Sequence, residues 1–321
     1  MALEIRTEIL RLLHTGGEVS GESISKSLGV SRMAVAKHIK HLREDGYLIE
    51  AVAGRGYRLT DSADRINAGE ISWRLGGNSM WKIEFLKEVD STNNQARRRA
   101  EQDAPEGLAV IAETQTAGKG RLGRSWHSPE NSGAWISVLL RPHMPPTEAH
   151  KLTLVTAVAV NEYLLSAGFE SGIKWPNDIL WQGRKLCGIL CEMQADMDAV
   201  SWVVIGFGIN VNEMNFPDEL KTRTVSLAEI SGRKQNRADI IAGVLASLET
   251  NYRLLTEGKW EIIREKWLAQ NVSLNKEITV SGLSGAAGME RGRAVGIDDC
   301  GFLLLELPDG KIKTISGGDI L

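Results

Sequence analysis

Residues 173–192, IKWPNDILWQGRKLCGILCE, decide the fold. Apolar runs at Asp178–Trp181 and Lys185–Glu192 flank Gln182-Gly183, and a two-residue connection of this kind joins antiparallel strands. A parallel pair needs a crossover of a dozen residues or more, and there is no room for one. Pro176 stops Ile173-Lys174-Trp175 from running on as a central strand. The next link, Ala195–Asp198, is again of hairpin length and leads into a run at Ser201–Gly208. Upstream, strand patterns fall at Trp81–Lys87, Leu108–Glu113 and Trp135–Leu140. A helix opens at Asp90-Ser91, a long one runs from about Thr147 to Ala167, and two more follow Pro217. The expectation is a mixed, largely antiparallel sheet with packed helices over residues 68–270, not a doubly wound domain.

The ends differ from this centre. Residues 1–62 carry three short helical patterns: one stopped at Gly16-Gly17, one capped by Ser20 and closed by Gly29, and one from Arg32 to Glu44 capped by Ser31 and ended by Gly46. Two β runs, Leu48–Val52 and Tyr57–Leu59, then flank Gly54-Arg55-Gly56. Between residues 31 and 43 stand four basic side chains and no acid. This is the plan of a winged helix-turn-helix, with Ser31, Arg32, Lys37, Lys40 and Arg55 as the DNA-facing set. His38 and His41 have no third ligand nearby and do not make a metal site. Residues 61–67 read as a polar linker. Residues 272–321 alternate short β runs with turns, as in a small β-barrel. The whole is therefore expected to be α+β and multidomain.

Charge and composition narrow the function. A net charge of -3 over 321 residues excludes a chain coated with nucleic acid along its length. Cys187 and Cys191 lie roughly 13 Å apart along one strand, too far for a disulfide, and read as buried apolar positions. The opening MALEIRTEIL, with Glu4 and Glu8, is not a signal peptide. The apolar stretch Leu152–Val160 is far shorter than the ~20 residues of a membrane span, so a cytoplasmic protein without membrane association is expected.

Chemistry gathers at strand ends. The loop Thr114–Trp126 interleaves Gly118, Gly120 and Gly123 with Lys119, Arg121 and Arg124, so backbone N–H groups and cations can meet an anion together. It is not a Walker loop, because Gly120 follows the lysine. Lys174-Trp-Pro-Asn-Asp178 adds a cation, an amide and a carboxylate; Arg184-Lys185 and Asn210 lie at further strand ends. Cations so placed suit activation of an acid by ATP, in which two anions must be pressed together, and no Ser/His/Asp nucleophile is present.

Five segments then carry a resemblance. Asp90-Ser-Thr-Asn93, Gln115 with Gly118–Trp126, Lys174–Asp178, Arg184–Gly188 and Gly206-Phe-Gly-Ile-Asn210 together resemble the biotin–protein ligases. With the head included, the chain is similar to their bifunctional members, which also repress biotin synthesis genes. The resemblance implies that Ser91, Thr92, Asn93 and Gln115 line a biotin pocket, with Gly188 in the same set. It implies that Lys119, Gly120 and Arg121 close over the activated acid, and that Lys185 meets both its carboxylate and the phosphate. Arg124 and Trp126 would serve the nucleotide; Lys174, Asn177, Asp178 and Asn210 belong to the ATP and magnesium side. Catalysis would rest on Lys185, Arg121 and Asp178. No tightly bound cofactor or protein-held metal is implied, only biotin and ATP with magnesium. The implied partners are the biotin carboxyl carrier protein of acetyl-CoA carboxylase, operator DNA, and a second copy of the chain when the adenylate is bound. Lys119 stands where the family commonly has arginine, which keeps the charge but loses the planar fork. A ligand-sensing regulator without ligase activity and a lipoate–protein ligase remain as alternatives.

Overall fold

The computed structural model describes residues 2–44, 47–61, 64–282 and 288–321. Its chain divides into two compact units, Met1–Ser79 with Asn236–Ala242 and Met80–Gln235 with Gly243–Leu321.

In the first unit, α1 (Ala2–Gly16) precedes β1 (Glu18–Val19), α2 (Gly21–Leu28), α3 (Arg32–Glu44), β2 (Leu48–Val52), β3 (Gly56–Asp61) and α4 (Ala68–Leu75). The expected punctuation is present. Ser20 Oγ accepts from Ser23 N at 3.0 Å, Gly29 takes the left-handed conformation at φ 63, and Ser31 Oγ accepts from Ala34 N at 3.1 Å. Gly46 and residues 62–63 of the linker lie outside the described residues. Ile9, Leu10 and Leu13 of α1, Ile24 of α2, Val35, Ile39 and Leu42 of α3, and Ile49 of β2 form the core. The hairpin is a three-stranded sheet in the order β1-β3-β2, β1 being too short to show as a pattern. The remaining linker is not free: Asp64 accepts from Arg237 N and Nε, at 2.9 and 2.8 Å.

The second unit opens with β4 (Lys82–Val89), α5 (Thr92–Ala100), β5 (Leu108–Gln115), β6 (Gly133–Leu140), α6 (His150–Ser166), β7 (Gly172–Lys174), β8 (Asp178–Trp181), β9 (Arg184–Ala195) and β10 (Val200–Asn210). These strands make one seven-stranded sheet, β4-β5-β6-β10-β9-β8-β7. Only β4 and β5 are parallel, and α5 is the crossover that such a pair requires. Gln182 and Gly183 both have positive φ, at 47 and 80, the conformation of a two-residue hairpin turn matched to strand twist. Pro176 sits at the edge, between β7 and β8. The long helix starts later than its sequence pattern, because Pro146–Glu148 form a separate 3-10 turn.

The sheet has two distinct faces. Ala96 and Ala100 of α5 pack with Val110, Leu139 and Val204 on one of them. Alternation along β9 and β10 puts Gly188, Leu190, Gly206 and Gly208 on that same face. Cys191 points the other way, against Thr153 of α6. Burial pushes its thiol up to about 12 and raises that of Cys187 further, so both are inert apolar positions.

Four helices follow rather than two: α7 (Asp218–Lys221), α8 (Leu227–Ser231), α9 (Arg237–Thr256) and α10 (Trp260–Gln270). The tail is β11 (Glu277–Ser281), β12 (Glu290–Ile297), β13 (Leu303–Glu306), β14 (Ile312–Ile315) and β15 (Asp319–Ile320). It forms an antiparallel sheet in the order β14-β13-β12-β11-β15; pairing of β14 with β15, which would close the expected barrel, is not seen among the described residues. No helix among the described residues is long and apolar enough to cross a membrane.

Candidate active site

One cavity of about 520 Å³ is lined by all fifteen residues singled out in the central domain. Its buried end is built from the start of α5. Ser91 is the N-cap, in extended conformation and without a side-chain capping bond, so its hydroxyl is not spent on the helix. Thr92 donates through N and Oγ1 to Gln115 Oε1, at 2.8 and 3.1 Å. Gln115 Nε2 donates to Ser128 Oγ at 2.8 Å. Ser137 Oγ lies 2.7 Å from Thr92 Oγ1 and 2.6 Å from Asn93 Oδ1, while Asn93 Nδ2 donates to Glu192 Oε2 at 2.7 Å. The result is a small, satisfied network of hydroxyls and amides, and such networks fix rotamers tightly.

Two glycines make the floor. A Cβ on Gly206 would fall 1.9 Å from Asn93 Oδ1, and one on Gly208 would fall 2.3 Å from Trp126 Nε1. Any side chain at either position would push Asn93 or Trp126 off the sheet. Lys185 Nζ lies 5.3 Å from the centre of the Trp126 ring, within cation–π range.

The glycine-rich loop folds back on itself. Trp126 N donates to Gly118 O at 2.8 Å and Gly120 N to Arg124 O at 2.7 Å. At its tip Leu122 has φ 55, a left-handed conformation that costs a branched residue energy, and it is 70% exposed. The arginines on either side both reach the last strand. Arg121 donates to Asn177 Oδ1 at 2.9 Å, Asp319 Oδ1 at 3.0 Å and Gly318 O at 3.1 Å; Arg124 donates to Asp319 Oδ2 at 2.6 Å. Lys119 goes elsewhere: its Nζ donates to Asn94 Oδ1 at 2.5 Å and lies 3.9 Å from Glu192 Oε1.

Lys174 ends β7 opposite Asp178, the first residue of β8, with the turn Trp175-Pro176-Asn177 between them. Asn177 is buried and donates to Ile189 O at 2.7 Å, leaving Oδ1 for Arg121. Lys185 is held by its backbone: its N donates to Arg223 O at 2.7 Å and its O accepts from Val225 N at 3.0 Å. Its Nζ lies 2.7 Å from Asp178 Oδ1. Asn210, the last residue of β10 rather than the one after it, donates to Lys185 O at 3.4 Å. Arg184 leaves the site and pairs with Glu229.

Asp319, Ser128, Ser137 and Glu192 join the site without standing in any of its sequence motifs. Ser137 and Glu192 look like ordinary strand residues, and only the fold aims them at Asn93. Asp319 comes from the other end of the chain, on a two-residue strand with no periodic signal.

In the head, Ser31, Arg32, Lys37, Lys40 and Arg55 are all exposed, the first four on α3 or at its cap and the last at the hairpin tip. Their charge is partly offset by neighbouring acids. Arg32 pairs with Glu22, Lys40 with Glu44 at 3.8 Å, and Arg55 with Glu18 at 3.2 Å. The His38 and His41 rings stand 6.5 Å apart edge to face, and no cluster of three metal-ligating side chains occurs among the described residues.

Family models match at residues 6–58 (HTH domain), 85–210 (Biotin/lipoate A/B protein ligase family) and 273–321 (Biotin protein ligase C terminal domain). The chain is 42% identical to the bifunctional ligase/repressor BirA of Bacillus spizizenii, over 100% of this chain and 99% of that one. It is 33% identical to its Escherichia coli counterpart, over 98% and 95%. Among solved structures, the biotin protein ligase of Aquifex aeolicus in complex with biotin and ATP superposes with a TM-score of 0.64 at 33% identity, covering 75% of this chain and 97% of that one. With an HTH head, a ligase core and a ligase C-terminal domain in one order from end to end, the chain belongs to the biotin–protein ligase family, in its bifunctional ligase/repressor form.

Proposed function

We propose that this chain joins biotin to ATP as biotinyl-5'-AMP, passes biotin to a lysine of a biotin carboxyl carrier protein, and represses biotin synthesis genes through its head. The observation that carries the proposal is the convergence of Arg121, Arg124, Lys174 and Lys185 with the Thr92–Asn93–Gln115 network on one cavity.

The chemistry follows from charge. A biotin carboxylate oxygen attacks the α-phosphorus of ATP, the bond to the β-phosphate oxygen breaks, and pyrophosphate leaves. Both reactants are anionic, so prearranged cations supply much of the transition-state stabilisation. Lys185, anchored on both sides through its backbone, sits where carboxylate and α-phosphate must meet. Arg121 and Arg124 cover the new anhydride, and Trp126 offers its ring to the nucleotide. In the second step the carrier amine attacks the acyl carbon, the C–O bond to AMP breaks, and the amine gives up a proton, for which Asp178 is the nearby carboxylate. Asp178 with Asn177 and Asn210 also suits a magnesium ion brought by ATP, since that ion takes few protein ligands beside phosphate oxygens; when bound it would neutralise phosphate charge.

Biotin rather than lipoate is favoured by the buried end. A cyclic urea presents N–H and C=O groups to the hydroxyls and amides of Ser91, Thr92, Asn93 and Gln115. A dithiolane ring has no hydrogen-bonding group to offer that polar end, and a site shaped to hydrogen-bond its ligand discriminates against one that cannot. A regulator that only senses its ligand has no use for a cationic lid over an anhydride. We further propose that the adenylate-bound chain pairs with a second copy so that two heads meet one operator. The test of the ligase reading is transfer of labelled biotin, with ATP, to a carrier domain. Absence of pyrophosphate release and of label on the carrier would leave only the regulator, and label from lipoate alone would reassign the substrate.

A further inference from the structure

Helix α3 has two unlike sides. Val35, Ile39 and Leu42 are at most 2% exposed and fill the core of the head. At about 100° per residue, Met33 and Lys37 lie on the opposite crest, with Lys40 next to them and Ala36 on the flank. Met33 is 84% exposed, and Ala36, Lys37 and Lys40 are exposed with it. An apolar side chain that long therefore stands in solvent amid cations. Met197, 98% exposed, is a different case: it lies in a turn between Asp196 and Asp198, where the neighbouring charge would repel an anion.

We infer that Met33, with Ala36 beside it, is the base-reading surface of the head and packs against thymine 5-methyl groups in the major groove of duplex DNA. The inference rests on the DNA-binding reading given above and says what the head distinguishes. Three physical points carry it. Residues near the start of a recognition helix are the ones that reach base edges. Contacts from Arg32, Lys37 and Lys40 to phosphate fix position but hold no sequence information. Thymine alone carries a methyl group into the major groove, and a flexible, polarizable thioether fits such a group with little ordering of the groove around it. The cations thus hold the duplex while the apolar crest chooses where to stop.

The test uses the full chain with biotin and ATP. A duplex is enriched from a random pool by the wild-type chain, and each thymine in it is then replaced singly by deoxyuridine, which removes the methyl and keeps every hydrogen-bonding group. At one or two positions the wild-type chain should lose roughly fourfold in affinity, the size expected for one apolar carbon. Met33→Ala should lose about as much on the unmodified duplex and no longer respond at those positions. Met33→Leu should keep the response, and affinity for non-specific duplex should be the same for all three. Indifference of the wild-type chain to every replacement, or an unaltered response in Met33→Ala, overturns the inference while leaving DNA binding intact. If the wild-type chain enriches no sequence and retains no duplex, the DNA-binding reading itself falls and takes this one with it.

Discussion

Lys185 shows how a single side chain is prepared for its task. Its backbone is tied through Arg223 and Val225, and its ammonium rests between Asp178 and the Trp126 ring. Replacing it with alanine should slow adenylate formation a few hundredfold, about 3–4 kcal/mol of transition-state stabilisation. Isotope exchange between pyrophosphate and ATP measures this directly, and a near-normal rate would remove Lys185 from the reaction. Glu70, on α4 of the first unit, gives a prediction of another kind. Burial pushes its carboxyl up, but His14 and Arg74 outweigh that and hold it at about 2. Its folded value lies below its ordinary value of 4.5, so its stabilisation is complete above that pH and fades as pH falls toward 2. Glu70→Gln should cost the first unit about 3 kcal/mol at neutral pH, with the gap from wild type narrowing below pH 4.5, as read from urea unfolding at several pH values. A gap independent of pH would mean the carboxylate charge is not what matters. At this scale the reactive cations were readable in the sequence because function places them beside glycine and proline, where the chain turns. Glu70 was not, since its partner His14 is distant in sequence and lies on α1.

The loop from Gly118 to Trp126 and the short strand β15 act together as elements. Asp319 receives both Arg121 and Arg124, so the C-terminal sheet fastens the loop over the cavity. A carboxylate there occupies the guanidinium groups much as a phosphate would, and both arginines are held against the last strand. Asp319→Asn retains the size of the side chain but weakens two charge-assisted hydrogen bonds, and each such bond is about twice as strong as a neutral one. Preformed adenylate should then escape into solution about tenfold faster, a change of about 1.4 kcal/mol, and protease should cut near Leu122 sooner. Arg121→Gly should leak more, because it removes the cover itself. Retention equal to wild type in both variants would show that the loop does not guard the intermediate. The longer elements could be foreseen: hairpin spacing at Gln182-Gly183 dictated the antiparallel sheet, and serine caps with glycine stops marked the helices of the head. The shortest, β1 and β15, could not, because two residues hold no period and are extended only through their partners.

Whole-molecule behaviour follows from how little charge the head has. Residues 1–62 contain nine basic and eight acidic side chains, a net of +1. Three of the five expected DNA contacts are already paired with Glu18, Glu22 or Glu44. Affinity for duplex DNA grows with the number of phosphates neutralised, so one head has a small share to offer and must first give up internal ion pairs. Two heads on one duplex change the scale, since the second binds at the effective concentration set by the first, and avidity exceeds either single affinity by roughly a hundredfold or more. Repression by this chain should therefore require a second copy and be governed by whatever promotes pairing. Three measurements on the full chain with biotin and ATP bear on this: sedimentation should show a dimer, DNA occupancy should rise with the square of chain concentration, and erasing one half of the enriched site should lower affinity at least a hundredfold. Glu22→Gln, which frees Arg32, should tighten binding and steepen its salt dependence by about one phosphate contact per head. First-power occupancy, with a half-erased site bound as well as the whole, would mean that a single head suffices despite its near-neutral charge.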